Sequence, residues 1–345
     1  MTSPLEAFRL HLPVLAAPMA GGPSTPALVT AAARAGSLGF LAGGYKTPEA
    51  LAAEMAKVRS AGGPFGVNLF APNPVPVDRA AFEHYAASLA EDARALGLDP
   101  ATLGGSPVED DDRWAEKIDL LLTDPVPVVS FTFGLPDVAV VVSLRAVGTV
   151  VVQTVTSPAE ALIAAELGAD MLVVQASAAG GHSGTLTPQV IPDQVPLPEL
   201  VAQVREAVAL PLIAAGGVGT PEGVGEALRA GAVAVAVGTV LLRADEAGTS
   251  ATYRDALADP ARQETVVTRA FTGRPARGLR NGFTDRHSAS APIGYPALHH
   301  LTSPLRRAAA ASGDAERLHL WAGTGHRHAT AEPVADILTR LAERS

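Results

Sequence analysis

A glycine pair followed by a histidine, Gly180-Gly181-His182, stands directly after an apolar run of β character, Asp170-Met-Leu-Val-Val-Gln-Ala-Ser-Ala-Ala. Residues without a Cβ permit backbone conformations and close ligand approach that a side chain obstructs, so the imidazole emerges beside N–H groups able to face a ligand. With an ordinary pKa near ~6.5 it takes up or releases a proton at neutral pH and, when charged, holds an anion. Turns after buried parallel strands are where barrel enzymes keep their chemistry. His182 is therefore the catalytic candidate.

Two further glycine turns follow apolar runs. Ala215-Gly216-Gly217-Val218 and Val237-Gly238-Thr239 each lead toward a predicted helix, and exposed N–H groups at such turns suit an anion, commonly a phosphate. Ala17-Pro18-Met19-Ala20-Gly21-Gly22 ends an earlier run, and Asn68 and Gln175 place amides near strand ends. An amide donates and accepts at once, which suits the polar edge of a heterocycle, although each could also tie one loop to another. His84, His287, His299 and His300 have no supporting context and read as surface or packing residues. His326-Arg327-His328 could put two imidazoles on one face of a strand, but without a carboxylate or cysteine signature no metal site is expected. Arg274, Arg277 and Arg280 lie in a basic stretch of an acidic chain and read as structural salt-bridging residues.

Positioning these turns requires strands that end on one face. Eight apolar runs bounded by Gly, Pro or Asp recur: 12–17, 38–42, 65–70, 126–131, 149–154, 171–175, 211–215 and 232–237. Helical patterns separate them, for instance 26–35, 48–60, 158–167, 197–208 and 221–230, several opening with Thr-Pro or Ser-Pro as N-cap and first helical residue. Strand and helix alternating eight times predict a closed parallel (β/α)8 TIM barrel, an α/β fold. Two stretches exceed the repeat. Residues 96–112 form a Gly- and Pro-punctuated loop whose four closing acids are expected in solvent. Residues 243–319 are too long for one barrel helix and are expected to form a helical substrate-side subdomain or lid. Residues 1–242 and 320–345 would then make the barrel.

Composition narrows the partners. A formal charge of -9 argues against nucleic acid or anionic membranes, and no apolar run reaches the ~18 residues of a membrane span. Cysteine is absent, which removes thiolate catalysis and disulfides and fits a cytoplasmic protein. The start, with Pro13 interrupting a short apolar run, reads as a first strand rather than a signal peptide.

Together these blocks, with Gly66-Val-Asn-Leu69 and Thr272-Gly-Arg-Pro-Ala-Arg-Gly278 followed by Asn281, resemble the FMN-dependent nitronate monooxygenases, formerly called 2-nitropropane dioxygenases. The resemblance spans nearly the whole chain. It implies FMN in a TIM barrel, contacted by Ala17, Pro18, Met19, Asn68, Gln175 and Gly180, with Gly181, Gly216, Gly217, Val237, Gly238 and Thr239 at or near its phosphate, and His182 as the catalytic histidine. The implied reaction oxidises an alkyl nitronate such as propionate 3-nitronate with O2 to a carbonyl compound and nitrite. Partners are then a small nitronate or nitroalkane and O2, the chain acting as a monomer or homodimer. Many members carry Gly after the Gln and Glu before Ala-Gly-Gly-His, where this chain has Ala176 and Ala178. The related FMN-dependent enoyl reductases share the glycine-histidine turn but take hydride from NAD(P)H, and a non-catalytic flavin-binding protein is the alternative outside enzymes. Barrels resembling inosine monophosphate dehydrogenase need a cysteine nucleophile and are excluded.

Overall fold

A computed structural model describes residues 4–343. The outermost residues of the expected 1–242 and 320–345 unit therefore lie outside the described residues. Eleven strands run β1 (Val14–Ala16), β2 (Gly39–Ala42), β3 (Phe65–Ala71), β4 (Val128–Phe133), β5 (Val150–Val155), β6 (Met171–Gln175), β7 (Gly181–His182), β8 (Leu212–Ala215), β9 (Ala234–Val237), β10 (Thr265–Thr268) and β11 (Ala276–Leu279). Eight of them, in the order β1-β2-β3-β4-β5-β6-β8-β9, close a barrel, every pair parallel and β9 joining β1 from Val14↔Val235 to Ala16↔Val237.

Local sequence sets the helix starts as read. Thr25, Thr47, Ser157 and Thr220 each cap a helix whose first residue is proline, their hydroxyls accepting from the N–H of Leu28, Ala50, Glu160 and Gly223. The cap satisfies a donor left over by the first turn, and proline there has no N–H to lose. Leu15, Phe40, Val128, Val152, Met171 and Ile213 fill the barrel interior. Apolar helix faces such as Leu200, Val201 and Val204 pack outside it.

Residues 243–319 hold the helices Ala251–Ala258, Gly282–His287 and Ala297–Ser312. They also hold β10 and β11, which with β7 form a three-stranded sheet, so the segment is not purely helical. Ala276 pairs with His182 and Arg277 with Gly181. Residues 243–319 thereby pair directly with the glycine-histidine turn.

The third connection differs from expectation in the same way. Glu109, Asp110 and Asp111 are exposed as expected, Asp110 meeting His300 at 2.8 Å, but Asp112 is drawn inward, pairing with Lys117 at 2.7 Å and accepting from Tyr45 N at 3.0 Å. Phe82, Tyr85 and Leu89 of this connection share one apolar cluster with Phe271, Phe283 and Leu298. Acids and apolar residues together fasten the connection beneath the covering helices.

Candidate functional site

Strand alternation puts one polar layer inside the upper barrel. On β3 and β4, Asn68 and Ser130 are register partners, and Asn68 Oδ1 accepts from Ser130 Oγ at 2.8 Å and Thr132 Oγ1 at 3.0 Å. Those two hydroxyls fix which way the amide points. The Asn68 Nδ2 donor is left without a partner among the described residues and lines the cavity above. Ser130, Thr132 and Thr154 share this layer and were not singled out from sequence. Their only signal was a hydroxyl at an inward-facing position near a strand end.

Above that layer lies a cavity of about 540 Å³. His182 and all twelve residues expected around the cofactor line it: Ala17, Pro18 and Met19 from the turn after β1, Asn68 from β3, Gln175, Gly180 and Gly181 from β6 and its turn, Gly216 and Gly217 from the turn after β8, and Val237, Gly238 and Thr239 from the end of β9 and its turn. Two of these side chains carry structural bonds as well. Gln175 donates from Nε2 to the His182 carbonyl at 3.2 Å and accepts at Oε1 from Gly184 N at 2.7 Å, so its amide braces the histidine turn. Thr239 Oγ1 accepts from Gly323 N at 3.0 Å, which helps bring Trp321-Ala-Gly-Thr-Gly325 back onto the barrel as read from sequence.

At Gly217, φ is +77° and an added Cβ would stand 2.8 Å from both Ala178 Cβ and Thr324 Oγ1. Position 178 therefore borders the glycine turn after β8, and that turn needs glycine for conformation and for space. Glu160, buried on the helix after β5, accepts from Thr156 Oγ1, Thr185 Oγ1 and Leu186 N at 2.7–2.8 Å. It secures the chain that leaves His182.

The imidazole has a defined seat. His182 Nε2 lies 2.9 Å from Thr272 Oγ1, and the rings of Phe133, Tyr295 and Trp321 surround it at centroid distances of 5.5, 6.0 and 5.4 Å. Nδ1 has no partner among the described residues. Burial, then the Arg274 and Arg306 guanidinium charges, push the His182 pKa down to about 3. It is a neutral imidazole at every physiological pH.

Arg274 corrects the salt-bridge expectation. Its buried guanidinium meets no carboxylate among the described residues: Nε donates to the Ser183 carbonyl at 3.2 Å, Nη2 donates to Thr185 O, and Cζ lies 4.1 Å over the Phe133 ring. Desolvation lowers its own pKa to about 10, which leaves it charged. Arg277 likewise donates to the Ser177 carbonyl and Thr265 Oγ1. Only Arg280 bridges acids, Glu264 and Asp285. Two histidine expectations also change. His299 lines the cavity, stacked on Tyr45 at 4.0 Å, and His326 and His328 sit on a 3-10 turn rather than a strand, His326 facing the Gly323 and Arg262 carbonyls. Tyr45 and Arg306 complete the lining, and Tyr295 stands beside it against the Phe133 and His182 rings. All three come from outside the barrel strands, and nothing in their local sequence marks them.

The chain matches a family model described as nitronate monooxygenase over residues 2–344. It is 34% identical over 341 residues to a probable nitronate monooxygenase of Staphylococcus aureus, covering 97% of this chain and 95% of that protein. Among solved structures it superposes on a nitroalkane oxidase from Streptomyces ansochromogenes with a TM-score of 0.92 and 44% identity, covering 99% of this chain and 97% of the other. FabK from Thermotoga maritima is similar at a TM-score of 0.74 and 24% identity, covering 99% and 96%, a likeness of fold alone.

Proposed function

We propose that this chain, which belongs to the nitronate monooxygenase family, oxidises alkyl nitronates with O2 to a carbonyl compound and nitrite, with FMN held at the C-terminal mouth of the barrel. The observation that carries this reading is the chamber around His182, where a neutral imidazole stands among aromatic rings beside a cavity floored by glycine turns. The residues present fit the cofactor. Asn68 Nδ2 is a free donor whose direction two hydroxyls dictate, able to serve a carbonyl on the flavin's polar edge. The turns at Gly216-Gly217 and Gly238-Thr239 offer backbone N–H groups for a phosphate.

When bound there, FMN supplies the electron-transfer chemistry with nitronate and O2. The chain's own residues do the rest. Phe133, Tyr295 and Trp321 exclude water from the reacting carbon. Thr272 holds the imidazole at Nε2, leaving Nδ1 free for the substrate. A neutral histidine orients an already ionised nitronate without removing a proton, whereas a neutral nitroalkane would need an imidazole of higher basicity to lose its α-proton. Residues 243–319 serve as the substrate-side cover, since they supply Thr272, Tyr295 and β11.

The test is aerobic turnover of propionate 3-nitronate by the purified yellow protein, following O2 uptake and nitrite. Nitrite formed in step with O2 consumption is expected. Bound flavin without nitrite production would overturn the reading.

A further inference from the structure

Among the described residues, none lining the cavity is a carboxylate. Among the described residues lining it, the formal charges are Arg306 and Arg307, and Arg307 lies exposed at the edge with Nη1 on Ser303 Oγ. Arg306 is different, being only 8% exposed on the helix Ala297–Ser312. Its Nε donates to Thr302 Oγ1 at 3.2 Å, and its Nη2 donates to the His299 carbonyl at 2.8 Å and to His299 Nδ1 at 3.2 Å. Accepting that bond requires a lone pair on Nδ1, so His299 is neutral with its proton on Nε2. Nη1 has no hydrogen-bond partner among the described residues, and no acid pairs with the guanidinium.

Nothing else in the chamber balances this charge. Burial, before any neighbouring charge, holds His182, His299 and His319 below the ordinary histidine range, and the Tyr45 phenol is pushed up to about 12 by the same cause. Arg274 stands behind Phe133 and does not line the cavity. A buried cation without an anion carries a desolvation cost of several kcal/mol, which a bound anion offsets by Coulomb attraction in the same low-dielectric surroundings. The glycine turns after β8 and β9 give a flavin phosphate its own place, so Arg306 is available to another anion.

We propose that Arg306 holds the negative charge of the substrate, and that this buried, acid-free guanidinium makes the site select nitronate anions over neutral nitroalkanes. The inference deepens the oxidation reading and rests on it for the identity of the anion. Nη1, the guanidinium nitrogen without a partner among the described residues, carries two N–H donors and the charge to hold a nitronate oxygen.

The experiment uses the flavin-loaded full chain and its Arg306→Gln and Arg306→Lys variants. Calorimetry with nitrate, a planar oxyanion, reads the anion site without turnover, and steady-state rates with ethyl nitronate and nitroethane compare one skeleton in charged and neutral form. Losing one charge-assisted contact is expected to weaken nitrate binding by about 10- to 100-fold in Arg306→Gln. Arg306→Lys, the charge-keeping control for folding, should lose less. KM for ethyl nitronate should rise in parallel, more than kcat falls, so that the preference for ethyl nitronate over nitroethane narrows while flavin content stays near wild type. Nitrate affinity unchanged in Arg306→Gln, or loss of flavin from that variant, would overturn the proposal. Should the wild type turn over neither compound, Arg306-dependent nitrate binding would still uphold the anion site while the oxidation reading fell.

Discussion

Thr272 Oγ1 lies 2.9 Å from His182 Nε2 and also meets the main chain of Arg274, accepting from its N–H at 3.4 Å and facing its carbonyl at 3.3 Å. One hydroxyl thus joins an imidazole on the barrel's sixth βα turn to the main chain of Arg274 in residues 243–319. The pairing of Ala276 with His182 fixes that meeting in register.

Removing the hydroxyl should loosen the ring without emptying the cavity. Thr272→Val is expected to lower kcat for a nitronate about 10-fold, in line with a lost hydrogen bond worth roughly 1–1.5 kcal/mol, and Thr272→Ser should restore most of it. Steady-state kinetics beside the flavin absorbance spectrum measure both. A Thr272→Val enzyme with wild-type kcat would show that the bond does not position the imidazole.

The pH profile follows from the neutral imidazole. With the His182 pKa near 3 in the free enzyme, kcat/KM for pre-formed nitronate should show no histidine inflection between about pH 5 and 8. Burial is the larger cause and stays in Arg274→Met, so removing that positive charge should move the His182 pKa upward while leaving it below the ordinary histidine value, and the profile should stay flat in that window. A wild-type inflection near 6.5 that vanishes in His182→Asn would contradict this account.

Acid stability carries the same sign. His182, His299 and His319 stay neutral in the fold, while the unfolded chain protonates them below about pH 6.5. The unfolded state then binds more protons, so stability rises with pH and is lost on acidification, by up to ~1.4 kcal/mol per pH unit for each histidine. Thermal unfolding should therefore shift to lower temperature from pH 7 to pH 5, and less so in a His319→Phe variant. An equal shift in that variant would remove His319 from the balance.

How much of this was legible depended on whether the determinants are local. Thr25-Pro26, Thr47-Pro48, Ser157-Pro158 and Thr220-Pro221 are helix starts in three residues, and a glycine turn after an apolar run is visible wherever it occurs. The barrel, the cavity-lining glycines, Met19, Asn68 and His182 followed from such signals. Thr272 lies 90 residues from His182 in sequence, Arg306 and Tyr295 reach the chamber from residues 243–319, and Tyr45 reaches it from the turn after β2. Arg274 was visible as a basic residue but not as a buried one, since its partners are carbonyls brought in from other turns. Of the acids at 109–112, Glu109, Asp110 and Asp111 are exposed as read, while Asp112 is drawn inward because Lys117 and Tyr45 become its neighbours only in three dimensions.

Gly217 separates flavin binding from chemistry. Its positive φ and the 2.8 Å approach to Ala178 and Thr324 mean that Gly217→Ala must distort the turn after β8, at a cost of about 1–3 kcal/mol. Purified Gly217→Ala is expected to carry less FMN and to regain activity at high added FMN. Full flavin occupancy with normal affinity would place the phosphate elsewhere.

The central claim is that a nitronate, not a nicotinamide, reduces a flavin held beside His182. The most direct measurement is anaerobic titration of the purified yellow protein with propionate 3-nitronate and separately with NADPH, read as loss of flavin absorbance, in wild type and His182→Asn. Rapid bleaching by the nitronate, slowed in His182→Asn with flavin still bound, and none by NADPH is the predicted result. Bleaching by NADPH with no response to the nitronate would contradict the account.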